Sequence, residues 1–380
     1  MIPRFITIQI MNSLKPSKVV GVFGPRRTGK TTLMNIIREK IGRDDIIMVH
    51  GENLDVIEVL SSQRTSVLKR FIGKKKYLFI DEAQKIPNIG INLKLIVDTI
   101  PDVSILVSGS SSFDLRNKIG EPLVGRSQHY FLYPLSLLEV GTDDYLKQKE
   151  MLEEQLIFGF YPEVYNSETL EQKKNEIESI RDGYLLKDIL ELDNNLKDSL
   201  FIFNLLRQIA FQIGKDVSYS EIASNLNVNK KTVMRYLELL EKSFVLFSHH
   251  GFSRNLRKEY TKSPRYYFWD NGIRNSLISN YNSLKIRDDT GQLWENFCVA
   301  ERAKYFAYKK ISANRFFWRT YEKKEIDLIE ERDGKLFAFE CKYSKKDVKV
   351  PIDFINSYPG SEFFVINKDT YLDFLYTSLL

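Results

Sequence analysis

No apolar run in this chain approaches the ~20 consecutive residues that a membrane-spanning helix needs, so no membrane partner is expected. The opening residues, "MIPRFITIQIMNSLKPSK", lack the uninterrupted apolar core and small-residue cleavage site of a secretory leader. Cysteine is scarce. The 2 present, Cys298 and Cys341, cannot build a disulfide framework and show no metal-ligand spacing. These absences together point to a reduced, cytoplasmic protein. Repeats, low-complexity tracts and long Gly/Ser linkers are also missing, so the domains are expected to abut one another.

What is present is an ordinary globular composition, 43% hydrophobic and 28% charged, with length for about two to four domains. The net charge of +6 is unevenly spread: residues 215–275 hold 11 Lys/Arg against 6 Asp/Glu. A local excess of that size suits a polyanion, most simply nucleic acid; a solvated basic face is the alternative.

Residues 1–140 alternate short β-rich runs ("KVVGVFG", "DIIMVH", "YLFIDE", "SILVSGS") with helical stretches. The runs are apolar throughout, as parallel strands covered on both faces require. Between the first run and the helix "TTLMNIIREKI" lies Gly24-Pro25-Arg26-Arg27-Thr28-Gly29-Lys30-Thr31, which fits G-x-x-x-x-G-K-[ST] in its proper strand–loop–helix setting. The glycines let backbone N–H groups wrap phosphates, and the helix N-terminus, including Thr32, adds a favourable field. Lys30 is expected to reach the β/γ-phosphates of ATP and Thr31 to hold Mg2+. "YLFIDE" ends in Asp81, a second Mg2+ group, and Glu82, placed to orient or deprotonate a water. Ser108 or Ser110, at the end of "SILVSGSSS", contacts the γ-phosphate or that water, or is merely a polar strand end. Arg126 in "EPLVGRSQHYF" completes a neighbouring subunit's site in a homo-oligomer, or is a structural arginine.

The stretches "GPRRTGKTTLM", "FIDEAQKIPNIGINLKLIVD", "ILVSGSSSFDL", "LVGRSQHYFLYPLSLLE" and "YYFWDNGIRNSL" resemble, in this order, a family of prokaryotic AAA+-like ATPases. In that family a winged-helix segment and a restriction-endonuclease-like domain follow the ATPase. The resemblance implies an α/β architecture: a P-loop core over 1–141, a helical lid over 142–205, a winged helix over 206–285 and a nuclease-like domain over 286–380. Family members usually carry Thr-Gly-Ser where this chain has Ser108-Gly109-Ser110.

"YSEIASNLNVNKKTVMRYLELLEK" has a helix-turn-helix outline: a helix from Glu221, a turn at "NVN" with Asn229 as cap, and a buried stripe of Val233, Leu237 and Leu240. Lys230, Lys231 and Arg235 fall off the stripe near the second helix's start, where recognition helices meet the major groove of double-stranded DNA. Arg254, Arg257 and Lys258 follow in a basic stretch suited to phosphates. A helix-turn-helix used only for packing is the alternative.

Near the end, "EIDLIEERDGKLFAFECK" carries Asp333-Gly334, a two-residue hairpin signal. A turn there pairs residues whose numbers sum to 667, setting Asp327 opposite Glu340 and Glu325 opposite Lys342. All four are expected on one face, with Ile326, Leu328, Phe337, Phe339 and Cys341 on the other. Two adjacent carboxylates can hold Mg2+, and Lys342 can steady an attacking water or developing phosphorane charge. That is the PD-(D/E)xK nuclease arrangement, to which the family resemblance also points, with Glu295 on the preceding helix as a further carboxylate and Glu301 a weaker candidate. The alternatives are a charged outer hairpin face, or a domain that binds nucleic acid without cutting. The adjacent pair His249-His250 points apart on a strand and is not expected to share a metal.

Overall fold

The computed structural model describes residues 2–109, 123–142, 144–185, 199–254, 263–344 and 348–376. Ser110, Arg257 and Lys258 lie outside the described residues. The chain divides into two units, residues 1–133 with 242–244, and residues 134–241 with 245–380.

The first unit is built on five parallel strands: β1 Val19–Phe23, β2 Ile46–His50, β3 Tyr77–Asp81, β4 Ser104–Gly109 and β5 Ser127–Phe131, in the order β2-β3-β4-β1-β5. Helices α1 Thr7–Ser13, α2 Lys30–Ile41, α3 Leu54–Leu60, α4 Thr65–Ile72 and α5 Ile89–Thr99 accompany them. β1 is buried along its whole length, and β4 likewise, which is why both read as unbroken apolar runs. α2 turns Leu33, Met34 and Ile37 inward at 0% exposure. Each such side chain contributes roughly 1.5–3 kcal/mol of burial. The topology puts the loop after β1 and the ends of β3 and β4 on the carboxyl edge of the sheet, where α/β folds place their ligands.

The second unit opens with helices α6 Leu137–Val140, α7 Tyr145–Phe158, α8 Pro162–Asn166, α9 Leu170–Ile180 and α10 Ser199–Phe211. Two helices, α11 Tyr219–Asn225 and α12 Lys230–Lys242, follow over the stretch expected to be a helix-turn-helix. Asn229 Oδ1 accepts from the Thr232 N–H at 2.8 Å, capping α12, and Val233, Tyr236, Leu237 and Leu240 form its buried stripe. β6 Leu246–Gly251 and β7 Arg265–Phe268 pair antiparallel; α13 Asn271–Leu277 and the 20-residue α14 Thr290–Lys309 come next. α14 is buried on nearly every side, as befits a central helix. Strands β8 Asn314–Arg319, β9 Glu325–Arg332 and β10 Lys335–Cys341 follow, then α15 Ile352–Ser357, β11 Glu362–Ile366 and α16 Tyr371–Tyr376.

One six-stranded mixed sheet, ordered β11-β10-β9-β8-β6-β7, spans this unit. β6 joins β8 in parallel through His250↔Phe316 and Gly251↔Phe317, so the hairpin after α12 is part of the C-terminal sheet. The β9–β10 register runs from Arg332↔Lys335 to Leu328↔Phe339, the pairing that a turn at Asp333-Gly334 dictates. Both turn residues have left-handed φ (49° and 77°), as a type I′ hairpin requires.

The expectation of one apolar and one charged hairpin face is corrected. Both faces are covered. On one, Phe339 packs on Phe364 and Phe374; on the other, Ile326, Ile329, Leu336 and Ala338 pack with Trp318, Phe354 and Tyr358. Ile326 joins Ile329 because β9 holds an extra residue where the β8 register slips between Phe316 and Trp318, a bulge that reverses the alternation.

Candidate functional site

The nucleotide loop is shaped by close backbone approaches. A Cβ at Gly24 would lie 2.0 Å from the Leu132 carbonyl oxygen, and Gly29 adopts φ +90° at the start of α2. The Thr28 hydroxyl donates to the Pro25 carbonyl at 2.8 Å. Lys30 Nζ donates to the Gly24 and Pro25 carbonyls, each at 2.9 Å, spanning the loop that its amine must reach across. Arg26 and Arg27 are half-buried on the loop's rim, and Thr31 and Thr32 are exposed at the first turn of α2.

Behind the loop lies a residue that the motif did not reveal. Arg4 is buried, donating to the Thr28 carbonyl and, at 2.7 Å, to the Tyr133 carbonyl. It stands 20 positions upstream of Gly24, the first residue of the loop, and no local pattern announces it.

The strand ends converge on Asp81. Thr31 Oγ1 donates to Asp81 Oδ2 at 2.6 Å, and the Ser108 hydroxyl donates to Asp81 Oδ1. Ser108 also accepts from the Glu82 N–H at 3.1 Å. Ser108 is thereby joined to the acidic pair. Glu82 lies just past β3 in a left-handed conformation (φ 52°), with its carboxylate accepting from the Gln84 amide. Gly51 makes room: a Cβ there would come within 2.3 Å of the Glu82 carbonyl oxygen. Arg126 stands immediately before β5, at the amino edge of the sheet. A five-residue strand, roughly 17 Å, separates it from the carboxyl edge and so from its own loop. It is half-exposed and paired with Asp98.

In the second unit the hairpin brings Asp327, Glu340 and Lys342 together. Lys342 Nζ lies 2.6 Å from Glu340 Oε1 and 3.9 Å from Asp327 Oδ2. Asp327 Oδ2 also accepts the Cys341 N–H at 2.8 Å. Both carboxyls are buried. Burial first, then the charge of Asp327, pushes Glu340 up to about 7 against the pull of Lys342. Burial raises Asp327 as well, opposed by Lys342 and the Cys341 N–H. For Lys342 burial is outweighed by the two carboxylates, and its pKa rises.

Glu295 on α14 stands within reach of this charge: burial and the Asp327 carboxylate drive its pKa well upward. Its Oε1 accepts from the Tyr267 hydroxyl at 2.8 Å, and its carboxylate packs against Gly214, where a Cβ would lie 2.8 Å away. Tyr267 is a second partner that sequence reasoning did not single out; it reads as one more core aromatic in "RYYFWD". Glu301, the weaker candidate, is elsewhere, bonded to Lys304 and to the Leu137 N–H. Among the described residues no group of three or more His, Cys, Asp or Glu side chains is disposed to hold a metal ion, and the ammonium of Lys342 lies against Glu340 instead. Glu340 Oε2 is nevertheless buried and without a hydrogen-bond partner, which an added cation would satisfy.

Lys230, Lys231 and Arg235 are exposed on α12. Arg254 is exposed too but paired with Glu331 at 2.7 Å. His249 is buried among Phe247 and Tyr267, while its neighbour His250 is exposed.

Residues 16–141 match a family model described as an AAA domain. That segment, similar to AAA domains, holds the five parallel strands and the phosphate-loop motif. Residues 149–286 and 290–369 match two models, each described as a domain of unknown function (DUF8612 and DUF4143). The chain is 26% identical over 346 residues to the uncharacterized protein Rv2008c of Mycobacterium tuberculosis, covering 89% of this chain and 73% of that one. It is 26% identical over 271 residues to the uncharacterized protein MJ1544 of Methanocaldococcus jannaschii, covering 66% and 60%. Among solved structures it aligns with AMPPCP-bound DnaA from Aquifex aeolicus (15% identity, 63% of this chain and 86% of that one) and with Cdc6p from Pyrobaculum aerophilum (12% identity, 72% and 93%). The TM-score is 0.28 in both cases, too low to carry weight. No helix among the described residues is long and apolar enough to cross a membrane.

Proposed function

We propose that the chain is a Mg2+-dependent ATPase whose nucleotide state acts on a nucleic-acid-binding C-terminal half. The observation that carries the first part is the Thr31–Asp81–Ser108 relay beside Lys30 at the start of α2. Thr31 and Asp81 are the groups that would hold Mg2+, which when bound supplies positive charge at the β- and γ-phosphates. Lys30 exchanges its two loop carbonyls for phosphate oxygens, and the N–H groups at the start of α2 receive the rest of the charge. Ser108 fixes the Asp81 carboxylate and the backbone of Glu82, leaving the Glu82 side chain to orient the attacking water. Arg126 is too distant for its own site and would serve a neighbour's in a homo-oligomer. Glu82→Gln should still bind ATP while turnover falls by ~10²–10⁴-fold, the range for loss of a general base. Full turnover by that variant removes the assignment. Mixing inactive Glu82→Gln and Arg126→Ala chains should restore activity if Arg126 acts across subunits; mixtures no better than the separate variants exclude it.

The exposed bases at the start of α12 support contact with duplex DNA through the helix-turn-helix. The bare Glu340 Oε2 beside Asp327 favours a further reading, metal-dependent phosphodiester cleavage. Asp327 and Glu340 would hold a divalent cation through the bare Oε2, with Glu295 as a further carboxylate near their charge, and the cation supplies Lewis acidity when bound. Lys342, freed from Glu340, steadies the attacking water. Asp327→Ala should abolish Mn2+-dependent plasmid nicking and leave ATPase activity intact. Persistent nicking refutes the cleavage assignment, and a wild-type chain that binds but never nicks leaves a nucleotide-switched binding module.

A further inference from the structure

α12 and the β6–β7 hairpin line a groove of about 420 Å3, within the about 300–1,000 Å3 typical of small-molecule sites. Its lining is mixed in a specific way. Lys231 and Arg235 bring two cations; Glu238 and Glu241 bring two carboxyls from the same helix. Glu241 accepts bonds from Ser248, so its acceptor is held in place, and burial pushes its pKa up. Met234, 46% exposed, supplies an apolar wall. Facing it, the Tyr219 and Tyr266 hydroxyls bond to each other at 2.9 Å.

A purely basic groove would suit any anion, and a purely acidic one a cation. This groove needs an occupant with an anionic end, hydrogen-bond donors a short distance away and an apolar face between. A nucleotide has these parts in that order. Its phosphate matches the Arg and Lys pair; its exocyclic amine is a donor that carboxylates accept, as Glu does from cytosine N4; its base offers a π-face to the thioether and the phenol.

We propose that this groove seats one nucleotide unit, phosphate on Lys231 and Arg235 and base between Met234 and Tyr219 with its amine toward Glu238 or Glu241. The unit is either a free nucleotide or one base of a single strand. This site is distinct from the P-loop and shares Lys231 and Arg235 with the duplex contact proposed for the start of α12.

The test uses the full-length chain carrying Lys30→Ala, so that the P-loop does not compete. Binding of CMP is measured by equilibrium dialysis and binding of fluorescein-labelled oligo-dC by anisotropy. Met234→Trp fills the groove and leaves Lys230, Lys231 and Arg235 untouched. It should weaken CMP or oligo-dC binding about tenfold or more and change duplex affinity less than about twofold. Glu238→Ala, at an exposed position of α12, should weaken the same ligand about three- to tenfold. Binding of CMP identifies a free nucleotide as the source; binding of oligo-dC without CMP identifies a strand. Absence of both, unchanged affinity in both variants, or displacement of oligo-dC by an acidic peptide but not by CMP overturns the proposal. Lys231→Ala/Arg235→Ala should weaken CMP or oligo-dC binding along with duplex binding, and loss of duplex binding alone in that variant overturns the placement of the phosphate.

Discussion

Replacing Glu340 by Gln should make the second unit more stable, by a margin that grows as pH rises from about 4.5 to about 7 and then levels off. The carboxyl is buried, and its pKa stands at about 7 rather than 4.5. Keeping it ionised in the fold therefore costs about 3 kcal/mol relative to the unfolded chain. The sign follows from proton counts. Between pH 4.5 and 7 the unfolded chain has released this proton and the folded chain still holds it, so stability falls as pH climbs through that window and levels off above it. Glutamine carries no such proton. The variant should match the parent near pH 4.5 and exceed it by up to about 3 kcal/mol at pH 8. Lys342, 38% exposed, can turn its ammonium to water when its partner is lost. Urea unfolding followed by tryptophan fluorescence is a suitable assay, because all 3 tryptophans, Trp269, Trp294 and Trp318, belong to this unit. The measurement is made in EDTA and repeated with Mn2+, which should raise the parent's midpoint but not the variant's. A variant less stable than the parent at pH 8, or a gap that ignores pH, would refute the argument.

Other perturbations are sharper in location. Ser108→Ala, by releasing Asp81 and the Glu82 backbone, should lower ATP turnover about tenfold with KM changed less than about threefold, as steady-state kinetics would show. Arg302→Ala leaves Glu330, 0% exposed and bonded at 2.9 Å, without its main partner; the same fluorescence assay should register a loss of about 3–5 kcal/mol. Duplex binding measured across salt concentrations should lose up to about 2.7 from its logarithmic slope when Lys230, Lys231 and Arg235 are all made Ala.

What was legible in the sequence was local. The phosphate loop follows from spacing and its strand–helix frame. The Asp333-Gly334 turn set the hairpin register, and Asn229 marked the start of α12. What escaped was non-local. Arg4 reaches the loop from the far side of β1, so no spacing relates them. The bond from Ser108 to Asp81 depends on the neighbouring strand β3. The extra residue in β9 is invisible until β8 lies beside it, and it alone puts Ile326 with Ile329. Nothing in the hairpin's own alternation marks Glu330 as paired, because Arg302, its buried partner, comes from α14.

The parallel seam between β6 and β8 has a practical meaning for anyone dividing this protein. A fragment cut at residue 286 would keep the carboxylate hairpin but lose the strand that covers β8, leaving a bare row of amides and carbonyls along Phe316 and Phe317. Such a piece invites self-association, whereas a fragment that begins ahead of β6 carries its own cover.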